Sequence, residues 1–434
     1  MKKDSKIDPR LQEELGIDAP DDIFRVIVEF YNVATIDVSS LQSVGASIVN
    51  VSRSLPYVTV EATKEQILRI EQIASVKKIW YNAPVGVLDE ISLPYDASEA
   101  GPYDIQVTLG DTTKHINADK VWEKGFTGNG VKVAVLDTGV NSSHPMLQGK
   151  VIAKFQTIDG NIEDGHGHGT WCASCVAGNK VSTSYGELVG MAPNARIING
   201  KVLSDDGVGY FDGIILGMEK AVIDYHADII SMSLGRTWDC DSPLWQAVDS
   251  LITQYGVIFC IAAGNAGPMN APSDPGIAFK CITVGASSIK VGGGDKIANF
   301  SSRGPSIHKG IYPDVVAPGG AGGGDQEGER IVGAWGSSYL AVRGTSMATP
   351  HVAGMVALLQ EALGRRFTEP EIKSLLSKSC VEIPPEGKDN DTGWGRIDCL
   401  KALNNLPTPP PPVRSSLGLL VPLMVGGFIL PQSE

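Results

Sequence analysis

Residues 131–139 read VKVAVLDTG. Lys132 is the only charge before Asp137, so the run is apolar on both of its alternating faces. A half-exposed strand would show strict alternation; a nearly continuous apolar run fits a parallel strand covered on both sides. The same signature recurs outward along the chain in ARIINGKVL (195–203), ADIISMSLG (227–235) and VIFCIAAGN (257–265). Between these runs lie helical stretches: HGTWCASCVAG (168–178), FDGIILGMEKAVIDYH (211–226) and PLWQAVDSLITQYG (243–256). Strand and helix in repeated alternation predict an α/β unit with a mostly parallel central sheet and helices on both faces.

Upstream, a different pattern occupies about 60 residues. FRVIVEFY (24–31), ASIVNV (46–51), YVTVEA (57–62) and SVKKIWYN (75–82) read as strands. IDVSSLQSVG (36–45) and TKEQILRIEQIA (63–74) read as helices, the second opened by Thr63 as its cap. The order β-α-β-β-α-β predicts a small α+β, ferredoxin-like sheet covered by two helices. Residues 1–22 are polar and read as a lead-in. Residues 83–110 lack a period and contain prolines, so they read as a linker or surface segment.

Composition supports two differently built regions. Of 50 glycines, only Gly16, Gly45 and Gly86 fall in the first hundred residues. The larger region therefore needs many tight turns or close backbone approaches. The net charge of −13 argues against nucleic acid as the main partner, which would call for a basic face. The first sixteen residues contain no apolar stretch of the kind a secretory signal carries. Near the end, LPTPPPPV (406–413) is a proline-rich spacer, followed by the uncharged run LGLLVPLMVGGFIL (417–430). That run is shorter than a spanning helix and is interrupted by Pro422. Two readings stay open for it: a self-packed or unstructured tail, and a segment giving membrane association.

Four short segments carry chemistry. AVLDTGV places Asp137 just past the carboxyl end of a strand, where parallel sheets gather catalytic groups. DGHGHGT places His168 between Gly167 and Gly169 at the start of a helix. GTSMATPHVAG (344–354) places Ser346 at the start of a small-residue helix, whose free N–H groups favour a developing negative charge. IAAGNAG (261–267) leaves the Asn265 amide free to donate. A serine hydroxyl needs a base to take its proton, and that base needs an acid to fix its tautomer.

This set, in the chain order Asp, His, Ser, resembles the subtilisin-like serine proteases over roughly residues 115–403. The resemblance implies a three-layer subtilisin-like fold and a serine endopeptidase with Asp137, His168 and Ser346 as its catalytic triad. Asn265 would donate to the oxyanion beside the Ser346 backbone N–H. Gly207, Val208 and Gly209 on one side, and Ser233, Leu234 and Gly235 on the other, look like backbone edges that take a protein substrate as an extended strand. Ser233, Leu234, Gly235, Ala262, Ala263 and Gly264 would line the pocket for the residue before the scissile bond. They are small and uncharged, which favours a large apolar or aromatic side chain there. The first unit resembles the family's inhibitory propeptide, which makes it a partner of the enzyme and implies a self-processed zymogen. The implied layout is a lead-in (1–22), a propeptide-like domain (23–88), a linker (89–114), a catalytic domain (115–405) and a spacer with apolar tail (406–434). Self-cleavage falls near Leu88, before Asp89.

The resemblance implies no cofactor for the chemistry, although calcium is a frequent structural ion in the family. The acidic stretch with Asp325, Glu327 and Glu329 reads here as a solvated loop. Cys172 and Cys175 read as small core residues on a buried helix, with a redox pair or half a metal site as the alternatives. Cys172 would lie beneath His168. An esterase of the α/β-hydrolase type would want G-x-S-x-G, and position 348 is Ala. The dinucleotide fingerprint is also missing, because Gly128 and Gly130 precede the first strand instead of following it. The compartment stays open: the lack of a signal points inward, and family habit points to export.

Overall fold

A computed structural model of the chain describes residues 5–17, 22–88, 104–237, 241–268, 272–291, 294–306, 310–323 and 326–407. The apolar runs form a seven-stranded sheet, and every pairing in it is parallel. Its order is Val315–Pro318, Ile282–Ser287, Ile258–Ala262, Ile229–Met232, Lys132–Asp137, Arg196–Lys201, Val151–Gln156. The strand Lys132–Asp137 is buried from Val133 onward, as its two-faced apolar pattern requires. One face packs on the helices His168–Ala177 and Thr345–Leu363, the other on Phe211–Glu219 and Pro243–Tyr255. The result is the three-layer α/β arrangement predicted from the strand–helix repeat.

The first unit is a four-stranded antiparallel sheet in the order Ser47–Val51, Tyr57–Thr63, Ile23–Phe30, Val76–Tyr81. The helices Val38–Ser43 and Lys64–Glu71 bury Leu41, Ile67 and Ile70 in a core of their own with Val26, Val28 and Val60. The other face of this sheet presents Ile27, Tyr57 and Trp80, which join the core formed with helices Phe211–Glu219 and Pro243–Tyr255. Buried polar contacts fix the docking. Glu219, 1% exposed, accepts from Ser54 N (2.8 Å) and Ser54 Oγ (2.6 Å), and Asp212 accepts from Arg25 Nε (2.8 Å) and Asn82 Nδ2 (2.9 Å).

Three expectations about organisation change. The lead-in contains a helix, Pro9–Ile17, whose Leu11 and Leu15 are buried in the first core, and Ile7 bridges to Ile79 at the sheet edge. The segment expected to be a linker contains a strand, Asp104–Thr108, paired in parallel with 328–332, and then a helix, Leu109–His115. The large unit therefore begins at or before residue 104, ahead of the expected boundary at 115. The acidic stretch expected to be a solvated loop lies beside paired strands, Ala321–Gly323 and Gln326–Trp335, the second of which contains Glu329. The spacer beyond residue 407 and the apolar tail lie outside the described residues. Among the described residues, no helix is long and apolar enough to cross a membrane.

Candidate active site

Asp137 ends its strand at the carboxyl edge of the sheet, and the backbone N–H groups of Val202 (2.9 Å) and Leu203 (3.1 Å) hold its carbonyl. Its Oδ1 accepts from Thr138 N at 2.7 Å and lies 2.6 Å from His168 Nδ1. Both side chains are buried. Gly169 permits this approach, since a Cβ there would stand 2.1 Å from the Gly139 carbonyl oxygen. The His168 turn is organised by Asp164, whose carboxylate accepts from Thr138 Oγ1 (2.9 Å), His166 N (3.0 Å), Gly167 N (2.8 Å), Thr170 N (2.9 Å) and Thr170 Oγ1 (2.6 Å). The buried ammonium of Lys201 holds Thr138 O and pairs with Asp205 at 2.6 Å.

Ser346 lies in the first turn of the helix Thr345–Leu363. Asn265 is clamped to that turn, its Oδ1 accepting from Thr345 N (3.0 Å) and Thr345 Oγ1 (2.9 Å). Its Nδ2 is therefore aimed outward and donates to Leu88 O at 2.6 Å. The Ser346 hydroxyl donates to the same oxygen at 2.8 Å. Leu88 follows the strand Pro84–Val87, which lies between two edges of the large unit as the middle strand of a three-stranded antiparallel sheet. Val208 is opposite Gly86 and Gly209 opposite Val85; Leu234 is opposite Val87 and Gly235 opposite Gly86. Val87 N donates to Gly207 O at 3.0 Å. Thus the edges expected to hold a substrate strand hold a strand of the chain itself.

Two glycines make room for this strand. A Cβ on Gly207, where φ is +76°, would stand 3.1 Å from Val87 Cγ2, and one on Gly235 would stand 3.1 Å from Leu88 Cδ1. The Leu88 side chain therefore points toward the wall expected for the residue before the scissile bond. Ala262, Ala263 and Gly264 are buried, and Ala263 O accepts from Ser273 N at 2.7 Å. Sequence reasoning missed Ser273 and Asp274, which back Gly235: its notional Cβ meets Asp274 O at 3.0 Å and Ser273 Cβ at 3.1 Å. Asp274 is bound through Oδ2 to Ser242 Oγ (2.7 Å), and burial pushes its carboxyl up to about 7 against the pull of that hydrogen bond. Asp164 and Lys201 were missed as well. The DGHGHGT segment contained Asp164 as a turn former, and a lysine closing the strand 196–201 was the visible oddity.

Cys172 sits where the resemblance implied: its Sγ lies within 4.8 Å of ligand atoms of Asp137 and His168. No disulfide joins any of the described cysteines. The Asp137, His168 and Cys172 set is the only such group among the described residues, and its mixed O, N and S donors do not suit calcium, which takes six to eight oxygens. Glu329 does not supply a calcium site either, and it is not solvated as expected. It is fully buried, accepting from Ile289 N (2.8 Å), Lys290 N (2.7 Å) and Val291 N (3.2 Å). Asp325 and the side chain of Glu327 lie outside the described residues. A mercurial is expected to slow hydrolysis through Cys172, with Cys172→Ala resistant; a wild-type rate unchanged by the reagent would contradict this.

The model of the family described as Subtilase family (Peptidase_S8) matches residues 128–395. The chain belongs to the subtilase family. It is a subtilisin-like serine protease. It is 34% identical over 333 residues to serine protease AprX of Bacillus subtilis, covering 70% of this chain and 73% of that protein. It is 35% identical over 291 residues to the major intracellular serine protease of the same organism, covering 63% and 83%. Among solved structures it is similar to fervidolysin from Fervidobacterium pennivorans, a keratinolytic enzyme related to subtilisin, with a TM-score of 0.69 at 25% identity. That likeness covers 90% of this subtilase, which in turn spans 63% of the fervidolysin chain.

Proposed function

We propose that this subtilase is a self-processing endopeptidase that cuts its own Leu88–Asp89 bond and is then held inhibited by its first unit. The observation that carries the reading is the convergence of Asn265 Nδ2 and Ser346 Oγ on one oxygen, that of Leu88 (2.6 and 2.8 Å). A carbonyl so placed has a nucleophile beside it and a donor ready for the charge that develops on its oxygen. In this mechanism Ser346 attacks the carbonyl carbon while His168 takes its proton. Asp137, accepting through Oδ1 from His168 Nδ1, fixes the tautomer that leaves Nε2 as the base and steadies the imidazolium. Asn265 and the Ser346 backbone N–H bind the oxyanion. His168 then protonates the leaving amine, and water repeats the sequence on the acyl-enzyme. Residues 23–88 act as the inhibitor, because their last strand fills the cleft and their sheet is docked through Glu219 and Asp212. Foreign substrates enter as the same middle strand, held mainly by backbone hydrogen bonds, with Gly207, Val208, Gly209, Ser233, Leu234 and Gly235 at their flanks.

The specificity follows from Leu88 and its small, uncharged surroundings. On chromogenic peptides ending in Val-Gly-Val-X, leucine or phenylalanine at X should be cleaved at least about tenfold faster than lysine, in keeping with the cost of burying an unpaired charge. Hydrolysis should be blocked by a serine-reactive phosphonate. Strict lysine or arginine selectivity would sink this specificity.

A further inference from the structure

In an α-helix the carbonyl of residue i accepts from the N–H of residue i+4. For Ser346 that residue is Pro350, inside the helix Thr345–Leu363. Proline has no N–H, and its ring crowds the carbonyl four residues back. The helix therefore gives Ser346 O no partner from Pro350, although the residue is fully buried. A buried carbonyl is expected to be paired. Ser233 Oγ donates to it at 2.8 Å, and the Cys172 thiol approaches at 3.7 Å. The carbonyls on either side differ: Thr345 O is taken by Thr349 Oγ1 (2.9 Å) and Met347 O by His351 Nδ1 (2.8 Å), both from the same helix. Only the Ser346 carbonyl is held from other elements. The Ser346 hydroxyl, whose proton goes to Leu88 O at 2.8 Å, also lies 3.2 Å from Ser233 O.

We propose that Ser233 is a positioning residue for the nucleophile, gripping the Ser346 carbonyl that Pro350 releases from the helix. The inference rests on the reading of Ser346 as nucleophile. Ser233 directly precedes Leu234 and Gly235, which pair with the strand in the cleft, so one short segment holds both the bound strand and the attacking residue. The thiol of Cys172 is a weak donor and secondary in this grip. Removing the Ser233 hydroxyl leaves the backbone pairing of the bound strand intact. The first turn of the helix is then free to shift, so the loss should fall on kcat.

The test is a double-mutant cycle on the full chain, with kcat and KM measured per titrated active site on one peptide. Ser233→Ala should lower kcat about tenfold with KM within about twofold, the scale of one buried carbonyl losing its main donor. Ser233→Thr, which keeps the hydroxyl, should recover most of that loss. Pro350→Ala returns an N–H at i+4, so in that background the cost of Ser233→Ala should shrink below about threefold. An equal cost in both backgrounds, or a loss wholly in KM, overturns the proposal. If Pro350→Ala does not fold, the Ala and Thr variants at 233 decide alone: no kcat loss for Ala, or no recovery for Thr, overturns it. Activity retained in Ser346→Ala would instead refute the reading on which this one rests.

Discussion

Replacing Ser346 by alanine is expected to leave the 434-residue chain uncut and to lower peptide hydrolysis by roughly 10⁶-fold. The hydroxyl lies 2.8 Å from Leu88 O, and among the described residues no other hydroxyl donates to that oxygen. Without it, His168 has no proton to take on the path to an acyl-enzyme. Asn265 still donates to Leu88 O, so the strand should stay in the cleft and the protein should stay folded. Electrophoresis and mass measurement of purified Ser346→Ala check the first half, and a chromogenic peptide checks the second. Normal processing in that variant would contradict self-cleavage by this chain.

Asp137→Asn is expected to lower kcat by roughly 10⁴-fold while KM changes little. The carboxylate lies 2.6 Å from His168 Nδ1 and accepts from Thr138 N at 2.7 Å through the same oxygen. An amide of the same shape keeps the packing but can turn a donor toward the imidazole, favouring the tautomer in which Nε2 carries the proton. That tautomer cannot act as base toward Ser346. Steady-state kinetics on one peptide read the effect, and a loss below about tenfold would contradict the role given to Asp137. Asp164 and Lys201 hold the surrounding turn by separate contacts, so the loss should not be accompanied by unfolding.

The parallel sheet was legible because a strand buried on both faces leaves a local mark, as VKVAVLDTG does. The family was legible because four short motifs keep their residue types around Asp137, His168, Asn265 and Ser346. Other parts left no local mark. Asp104–Thr108 pairs with residues more than two hundred positions away, and a five-residue strand has too few alternations to stand out. Pro9–Ile17 is short and, among its described side chains, buries only Leu11 and Leu15, so composition alone read it as polar. Glu329 reads as solvated until the three N–H groups of 289–291 are brought to it by the fold. Ser273 and Asp274 are ordinary in sequence, and matter only because Gly235 leaves space between them and Leu88. In each case a pairing or contact distant in the chain decided the outcome.

The skewed distribution of glycine has a matching physical cause. In the large unit, positions such as Gly169 and Gly207 stand where a Cβ would meet the active-site turn or the bound strand. The first unit holds its sheet with ordinary antiparallel pairs and three short helices, and needs few such approaches.

The most direct test of the account is the N-terminal sequence of the large fragment from the purified wild-type protein. Cleavage at the carbonyl that Asn265 and Ser346 share predicts a fragment beginning at Asp89. A start beyond Gly101, or an active protein still beginning at Met1, would contradict it.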